Sequence, residues 1–385
     1  MGAGRGGALP ERIGPYAVER RLGAGGMGEV YLAYSVAGDP VAVKVIRPDK
    51  IDPHARARFE REASIARTLS GTGRVARFVD ADPFAEQPWL ATDFVPGRPL
   101  DDLVREQGPL SEDLVASLGA LLAEGLTAVH ATGLVHRDLK PKNVMIGAFG
   151  PVIIDFGLGS FLDVSKGSMS MAGTIIGTVG SMPPEQALGV TEVTPAADVY
   201  GLGVVLLYAA SGHQPYSGEG WPAVLAQVAN PELEPDLSGL PDELAPVVKP
   251  MLAHRPEERP QLAQVTRQCA DLLHRLGTSP ARARRALIQR TTPQDHPTVV
   301  LPQPDPRMLD RLDDLEQLLR QQEDGAEEPA VTPSTSHPAS AGGTGPEPAE
   351  EPPSRVPGRP PASRRVAGEL RKRYARRREL AWPSR

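Results

Sequence analysis

The chain has 385 residues, a length that suggests about two or three structural units. Lys and Arg number 42 against 48 Asp and Glu, and the net charge of −6 removes the basic footprint of a nucleic-acid binder. Proline takes 41 positions, about twice its usual share, so part of the chain is expected to lie outside a packed core.

Residues 1–12 read as a flexible N-terminus without the apolar stretch of a secretory leader. Tyr16, Val18, Arg20 and Leu22 then alternate, Gly23-Ala24-Gly25-Gly26-Met27-Gly28 follows, and Val30, Leu32 and Tyr34 alternate again. A dinucleotide-binding G-x-G-x-x-G needs a strand before it and a helix after it. Period two on both sides reads instead as a glycine-rich hairpin, whose N–H groups can approach phosphate oxygens closely. A plain flexible turn is the alternative. Val41-Ala42-Val43-Lys44 is a short apolar strand ending in a lysine, either an ordinary edge lysine or one held by a carboxylate. A helix over 53–69 offers that carboxylate: Glu62, beside the apolar face of Ala63, Ile65, Ala66 and Leu69, or its rival Glu60.

The densest chemistry is central. His136-Arg137-Asp138-Leu139-Lys140-Pro141-Lys142-Asn143 is followed by Asp155-Phe156-Gly157, and the apolar runs 144–146 and 152–154 between them read as a hairpin. Phosphoryl transfer needs positioning and charge stabilisation rather than covalent work. For that chemistry Asp138 would accept or orient a hydroxyl proton, and Asn143 and Asp155 would supply hard oxygen ligands for Mg²⁺. The only cysteine, Cys269, lies in a helical stretch over 261–276 and reads as a small buried apolar residue. The longest apolar runs, such as 201–210, fall short of the roughly 18–20 residues that cross a bilayer.

With these residues in this order, the sequence resembles the eukaryotic-like serine/threonine protein kinases of bacteria, most closely the actinobacterial type, over 13–276. Gly177 to Gln186 looks like the family's G-T-x-x-Y-x-A-P-E-Q segment, Asp198 to Gly203 like its D-V-Y-S-L-G helix start, and Arg259 like the late arginine that pairs with Glu185. The resemblance implies an α+β, two-lobed fold: a small β-rich lobe with one main helix, a larger mainly helical lobe, and a disordered Pro-rich tail. It implies catalytic roles for Asp138, Lys140, Lys44, Glu62, Asn143 and Asp155, with Mg²⁺ on Asn143 and Asp155. ATP would be held by Leu22, Gly23, Ala24, Gly25, Gly26, Met27, Gly28, Glu29, Val30, Ala42 and Lys44, with Thr92 as gatekeeper and Asp93 to Val95 as hinge. Lys140 and Thr178 point to serine or threonine acceptors on protein substrates. Ser181 and Pro183 depart from the family's Tyr and Ala, which changes the expected peptide groove, and Asp93 replaces a hinge Glu.

Between Asp155 and Glu185 the chain is rich in small residues. Autophosphorylation there is expected, at Thr174 first and then Ser170 and Ser168, with Arg137 as the cation that receives the phosphate. A homodimer would suit phosphorylation in trans. The remainder divides into a Pro/Thr-rich linker over 277–306, with little to bury, and a short amphipathic helix over 307–322. A Pro/Ala/Glu-rich disordered segment follows over 323–363, and a basic end over 364–385 could meet a membrane surface or an acidic partner. Met308, Leu312, Leu315 and Leu319 give the helix one apolar stripe, either for a coiled coil or for docking on the main domain. A cytoplasmic protein without a transmembrane segment is expected.

Overall fold

In the computed structural model the described residues are 9–25, 28–47, 56, 59–60, 63, 65–67, 73–155, 179–190, 192–291 and 302–324. Alternating, β-branched segments at the start pair into a six-stranded antiparallel sheet: β1 (Arg12–Ile13), β2 (Tyr16–Gly25), β3 (Gly28–Tyr34), β4 (Pro40–Ile46), β5 (Phe78–Asp82) and β6 (Trp89–Asp93). The spatial order is β1-β2-β3-β4-β6-β5. One face buries Tyr16, Val18, Tyr31, Val43 and Trp89, with the Tyr16 and Trp89 rings edge to face at 5.6 Å. The other buries Ile46, Phe78 and Leu90 under Phe59, Ala63 and Ala66, whose spacing of four and three places them on one side of a helix.

A second, three-stranded sheet joins β7 (Gly97–Pro99), β8 (Val144–Gly147) and β9 (Gly150–Ile153). The β8–β9 hairpin is the one read from the sequence. The large lobe around it is helical: α1 (Leu100–Gln107), α2 (Glu112–His130), α3 (Pro184–Ala187), α4 (Ala196–Ser211), α5 (Trp221–Ala229), α6 (Ala245–Met251) and α7 (Leu262–Arg275). By length and composition α2 could cross a membrane, but most of it is buried within this lobe's core. α4 is buried almost all round, as its unbroken run from Val199 to Leu207 requires. Cys269 is fully buried on α7, and burial pushes its thiol up to about 12. The lobes meet where Ala76 N donates to Ile153 O and Ile153 N to Arg74 O, both at 2.8 Å.

Past residue 276 the structure differs from the sequence expectation. Residues 280–291 are not linker but a helix, α8 (Pro280–Thr291). Its Ala283 and Leu287, four apart, enter the large-lobe core. Arg284 donates to Phe149 O at 2.8 Å, and Arg290 to Gln107 O and Pro109 O at 3.1 and 3.2 Å. The amphipathic helix is present as α9 (Pro306–Asp324), and its stripe docks within the chain, on the small lobe. The segments 325–363 and 364–385 lie outside the described residues.

Candidate active site

The glycine-rich hairpin is the β2–β3 turn, with Gly23 opposite Val30, Ala24 opposite Glu29 and Gly25 opposite Gly28. Gly28 has φ +156, and a Cβ there would sit 1.8 Å from Val45 O of β4, so only glycine fits. At Gly23 and Gly25 a Cβ would meet nothing within 4 Å, which leaves open space above the hairpin backbone. Glu29 is tied sideways to Arg21 at 2.7 Å and to the Tyr31 hydroxyl; those two hydrogen bonds, Tyr31's first, hold its carboxyl below the usual range. Leu22 is exposed, and Val30 and Ala42 are half-buried.

β4 carries Lys44 opposite Val30 on one side and Leu90 on the other. Its Nζ lies 2.5 Å from Asp155 Oδ1, the carboxylate on this lysine among the described residues. Glu62 lies outside the described residues, and Glu60 is exposed. Burial alone would raise the Asp155 carboxyl; Lys44, with Lys140 and His136 nearby, outweighs it and holds the group below its ordinary value. Asp155 also has φ +58, a left-handed conformation costly for a non-glycine residue. Ala42 pairs with Thr92 at the end of β6, which leads into the hinge. Asp93 turns its side chain outward onto Arg77, with two bonds of 2.9 Å, and donates its N–H to Arg77 O at 2.8 Å.

The loop of residues 136–143 is fixed from below by Asp198 in the first turn of α4. This carboxylate, 1% exposed, accepts His136 N at 2.8 Å, Arg137 N at 2.7 Å and His130 Nε2 at 2.7 Å. Arg137 has φ +65, and its two neighbouring bonds to Asp198 hold that strained turn. His136 Nε2 meets Ile154 O at 3.1 Å, linking this loop to the residue before Asp155. Asp138 then faces Lys140, whose Nζ is 2.9 and 2.8 Å from its two carboxylate oxygens. Asn143 closes a 3-10 turn by donating its backbone N–H to Lys140 O at 2.9 Å, and gives its side-chain N–H to Asp138 O at 2.7 Å. With the amide nitrogen so placed, the amide oxygen is the end left for a cation. Asn143 O accepts Ile154 N at 2.9 Å, which brings Asn143 and Asp155 together as the motif spacing implied.

A buried ion pair anchors the segment after the loop. Arg259 donates to both Glu185 oxygens at 2.8 and 2.7 Å and to Ala196 O, Ala253 O and His254 O, and stacks over Tyr200 at 5.0 Å. Gln186 Nε2 donates to Arg137 O at 3.2 Å, tying this segment to the catalytic loop. Gly26, Met27, Phe156, Gly157, Ser168, Ser170, Thr174 and Thr178 lie outside the described residues. The sequence alone assigns Asp198 no role; a lone acid in the first turn of an otherwise apolar helix is the signal that marks it.

A family model described as protein kinase domain matches residues 16–269. The probable serine/threonine-protein kinase PkwA of Thermomonospora curvata is 45% identical over 260 residues, 67% of this chain and 34% of its own length. The serine/threonine-protein kinase AfsK of Streptomyces coelicolor is 44% identical over 270 residues, 70% and 33% of the two chains. PknB of Mycobacterium tuberculosis is 34% identical over 281 residues, 71% and 44%. The chain thus spans between about a third and less than half of the length of these curated relatives. The kinase domain of Mycobacterium tuberculosis PknI superposes with TM-score 0.53 at 26% identity, covering 68% of this chain and 99% of that one. A Rad53 fragment in complex with AMP-PNP shares the fold, with TM-score 0.54 at 22% identity over 66% and 64% of the two chains.

Proposed function

Since the chain belongs to the protein kinase family, we propose that it transfers the γ-phosphate of ATP to serine and threonine hydroxyls of proteins, in signalling. The observation that carries this reading is the Asp138 carboxylate bridged by Lys140, with Asn143 on its backbone carbonyl, beside the segment after β9 that brings Asp155 to Lys44. The donor set fits Mg²⁺: one amide oxygen and one carboxylate, hard ligands on adjoining strand ends. The open backbone at Gly23 and Gly25 fits a triphosphate, and the AMP-PNP bound by the Rad53 relative supports an adenine nucleotide. Bound Mg²⁺ would neutralise charge on the phosphates.

The chain's own groups divide the work. Asp138 accepts the proton of the attacking hydroxyl as the new O–P bond forms. Lys140 keeps that carboxylate in place and offsets charge beside it. Lys44 balances charge on the nucleotide side, where the bond to the leaving oxygen breaks. Asn143 and Asp155 would hold the cation when it is bound. A cytoplasmic setting, with its reduced thiols, suits the buried, free Cys269. Autophosphorylation in trans at Thr174, Ser170 or Ser168 belongs to the same reading, with Arg137 beside Asp138 as the docking cation. Phosphoamino-acid analysis after incubation with Mg²⁺ and ATP tests it: phosphoserine and phosphothreonine are expected, and phosphotyrosine alone would contradict it. Mass mapping that finds 156–178 unmodified in an active preparation would remove the autophosphorylation part.

A further inference from the structure

The apolar stripe of α9 takes no part in the chemistry above, yet it is buried. Met308, Leu312 and Leu315 close over Ala17 of β2 and Tyr34 of β3, with Val36 and Leu319 at the margin. β2 is irregular here: its pairing with β3 steps between Val18 and Arg20, which marks a bulge in the ladder. Arg311 reaches in from α9 at this place, donating Nη1 to Val18 O at 2.9 Å and Nη2 to Glu11 O. Glu11 O also accepts Val18 N at 3.0 Å, so one guanidinium secures the chain entering β2 and the bulge together. Asp305 caps the helix by accepting Met308 N at 2.8 Å, and Pro304 lies against Gly38 of the β3–β4 turn.

The helix before it is anchored on the other lobe. α8 is seated in the large-lobe core through Ala283 and Leu287, and its Arg284 and Arg290 hold backbone carbonyls there. The chain therefore leaves the small lobe through the hinge and returns to it at α9, joined to α8 by residues 292–305. We propose that α9 is a built-in ligand of the small lobe: a clamp that holds the base of the glycine-rich hairpin in its nucleotide-binding geometry and frees the hairpin when the helix undocks.

Two physical points support a releasable contact. Most of a helix's stability in a protein comes from packing its apolar face, so docking on the small lobe supports α9 itself as well as the sheet. The short connection to α8 gives α9 an effective concentration on the order of millimolar, so a modest interface suffices to hold it and a modest competitor to displace it. Transmission to the nucleotide follows from the sheet: β2 runs from the clamped Ala17 and Val18 to Gly23 and Gly25, and its pairing with β3 resumes after each of the two register shifts, at Val18/Arg20 and Arg21/Gly23. A change of twist at its base is carried to its tip.

The nucleotide arm of this proposal rests on the kinase reading; the docking arm does not. The test uses the full chain, as wild type, as the Leu312→Asp/Leu315→Asp double variant, and as Arg311→Ala. Hydrogen–deuterium exchange is followed over 11–34, with 198–211 as internal control, and AMP-PNP affinity with Mg²⁺ is measured by calorimetry. Both variants are expected to exchange faster over 11–34, to leave 198–211 protected, and to bind AMP-PNP about fivefold or more weakly, the low end of ordinary coupling between sites. Unchanged exchange over 11–34 would overturn the docking, and faster exchange with wild-type affinity would overturn the coupling. If the double variant loses protection everywhere, Arg311→Ala decides by the same two outcomes. A wild type that binds no AMP-PNP would sink the kinase reading, and the exchange arm would then decide the clamp alone.

Discussion

Replacing Asp198 by Ala probes how the catalytic loop is held. The carboxylate, 1% exposed, accepts the N–H groups of His136 and Arg137. Each orphaned buried donor costs about 1–3 kcal/mol, so the pair amounts to about 2–6 kcal/mol. The left-handed Arg137, with φ +65, stores on the order of 1–3 kcal/mol that the loop can shed by relaxing once those bonds are gone. Relaxation moves Asp138, the next residue, and a displacement of about 1 Å at a reacting group costs on the order of 100-fold in rate. Asp198→Asn keeps the shape but turns one acceptor into a donor facing an N–H, so it is expected to fail as well. The assay is steady-state turnover with a protein substrate, alongside AMP-PNP affinity and urea unfolding. The expected result is a kcat lower by about 100-fold or more, with nucleotide affinity preserved by the small lobe and Lys44. A folded Asp198→Ala variant turning over near the wild-type rate would refute the reasoning, because the loop would then hold its geometry without this anchor.

Removing Arg259 as Arg259→Ala leaves Glu185 buried and three carbonyls without their donor, and urea unfolding should show a loss of about 3–5 kcal/mol. Gly28→Ala drives a Cβ into Val45 O and should lower stability even without nucleotide, whereas Gly23→Ala meets open space and should spare stability while weakening AMP-PNP binding. Thermal unfolding with and without AMP-PNP separates the two. Burial raises the Asp80 carboxyl from 3.8 to about 6 despite Arg67 at 2.8 Å, so the native state keeps a proton there that the unfolded chain releases. Its contribution to stability is full below about pH 4 and lost as pH rises through 6, at most about 3 kcal/mol, and Asp80→Asn should flatten that slope in urea titrations at pH 4 to 7.

The chemistry was legible because it is local. His136 to Asn143 and Asp155 carry their types and spacing in one stretch, and period two on both sides of Gly23 to Gly28 separated a hairpin from a strand–helix turn. The α9 stripe was equally plain from Met308, Leu312, Leu315 and Leu319, although nothing in its spacing named the surface it covers; Ala17 and Tyr34 lie almost 300 residues away in the chain. α8 was misread because its buried face is only Ala283 and Leu287, and its other anchors are arginines that read as solvated charge. Asp198 has no role legible in its local sequence, since its partners, His136 and Arg137, are set by tertiary folding rather than by sequence neighbours. Asp155, which the structure places on Lys44, comes from beyond β9 and 111 residues away, a pairing that no local spacing announces; Glu62 lies outside the described residues.

The measurement closest to the centre of this account is transfer of labelled γ-phosphate to protein by the purified full chain with Mg²⁺, run beside Asp138→Asn. Label on the wild type and none on the variant is the predicted result, because Asn cannot take the hydroxyl proton while the loop around it is preserved. Equal labelling of both chains would contradict the role of Asp138. Label on neither, with AMP-PNP still bound, would contradict phosphoryl transfer and leave a nucleotide-binding module.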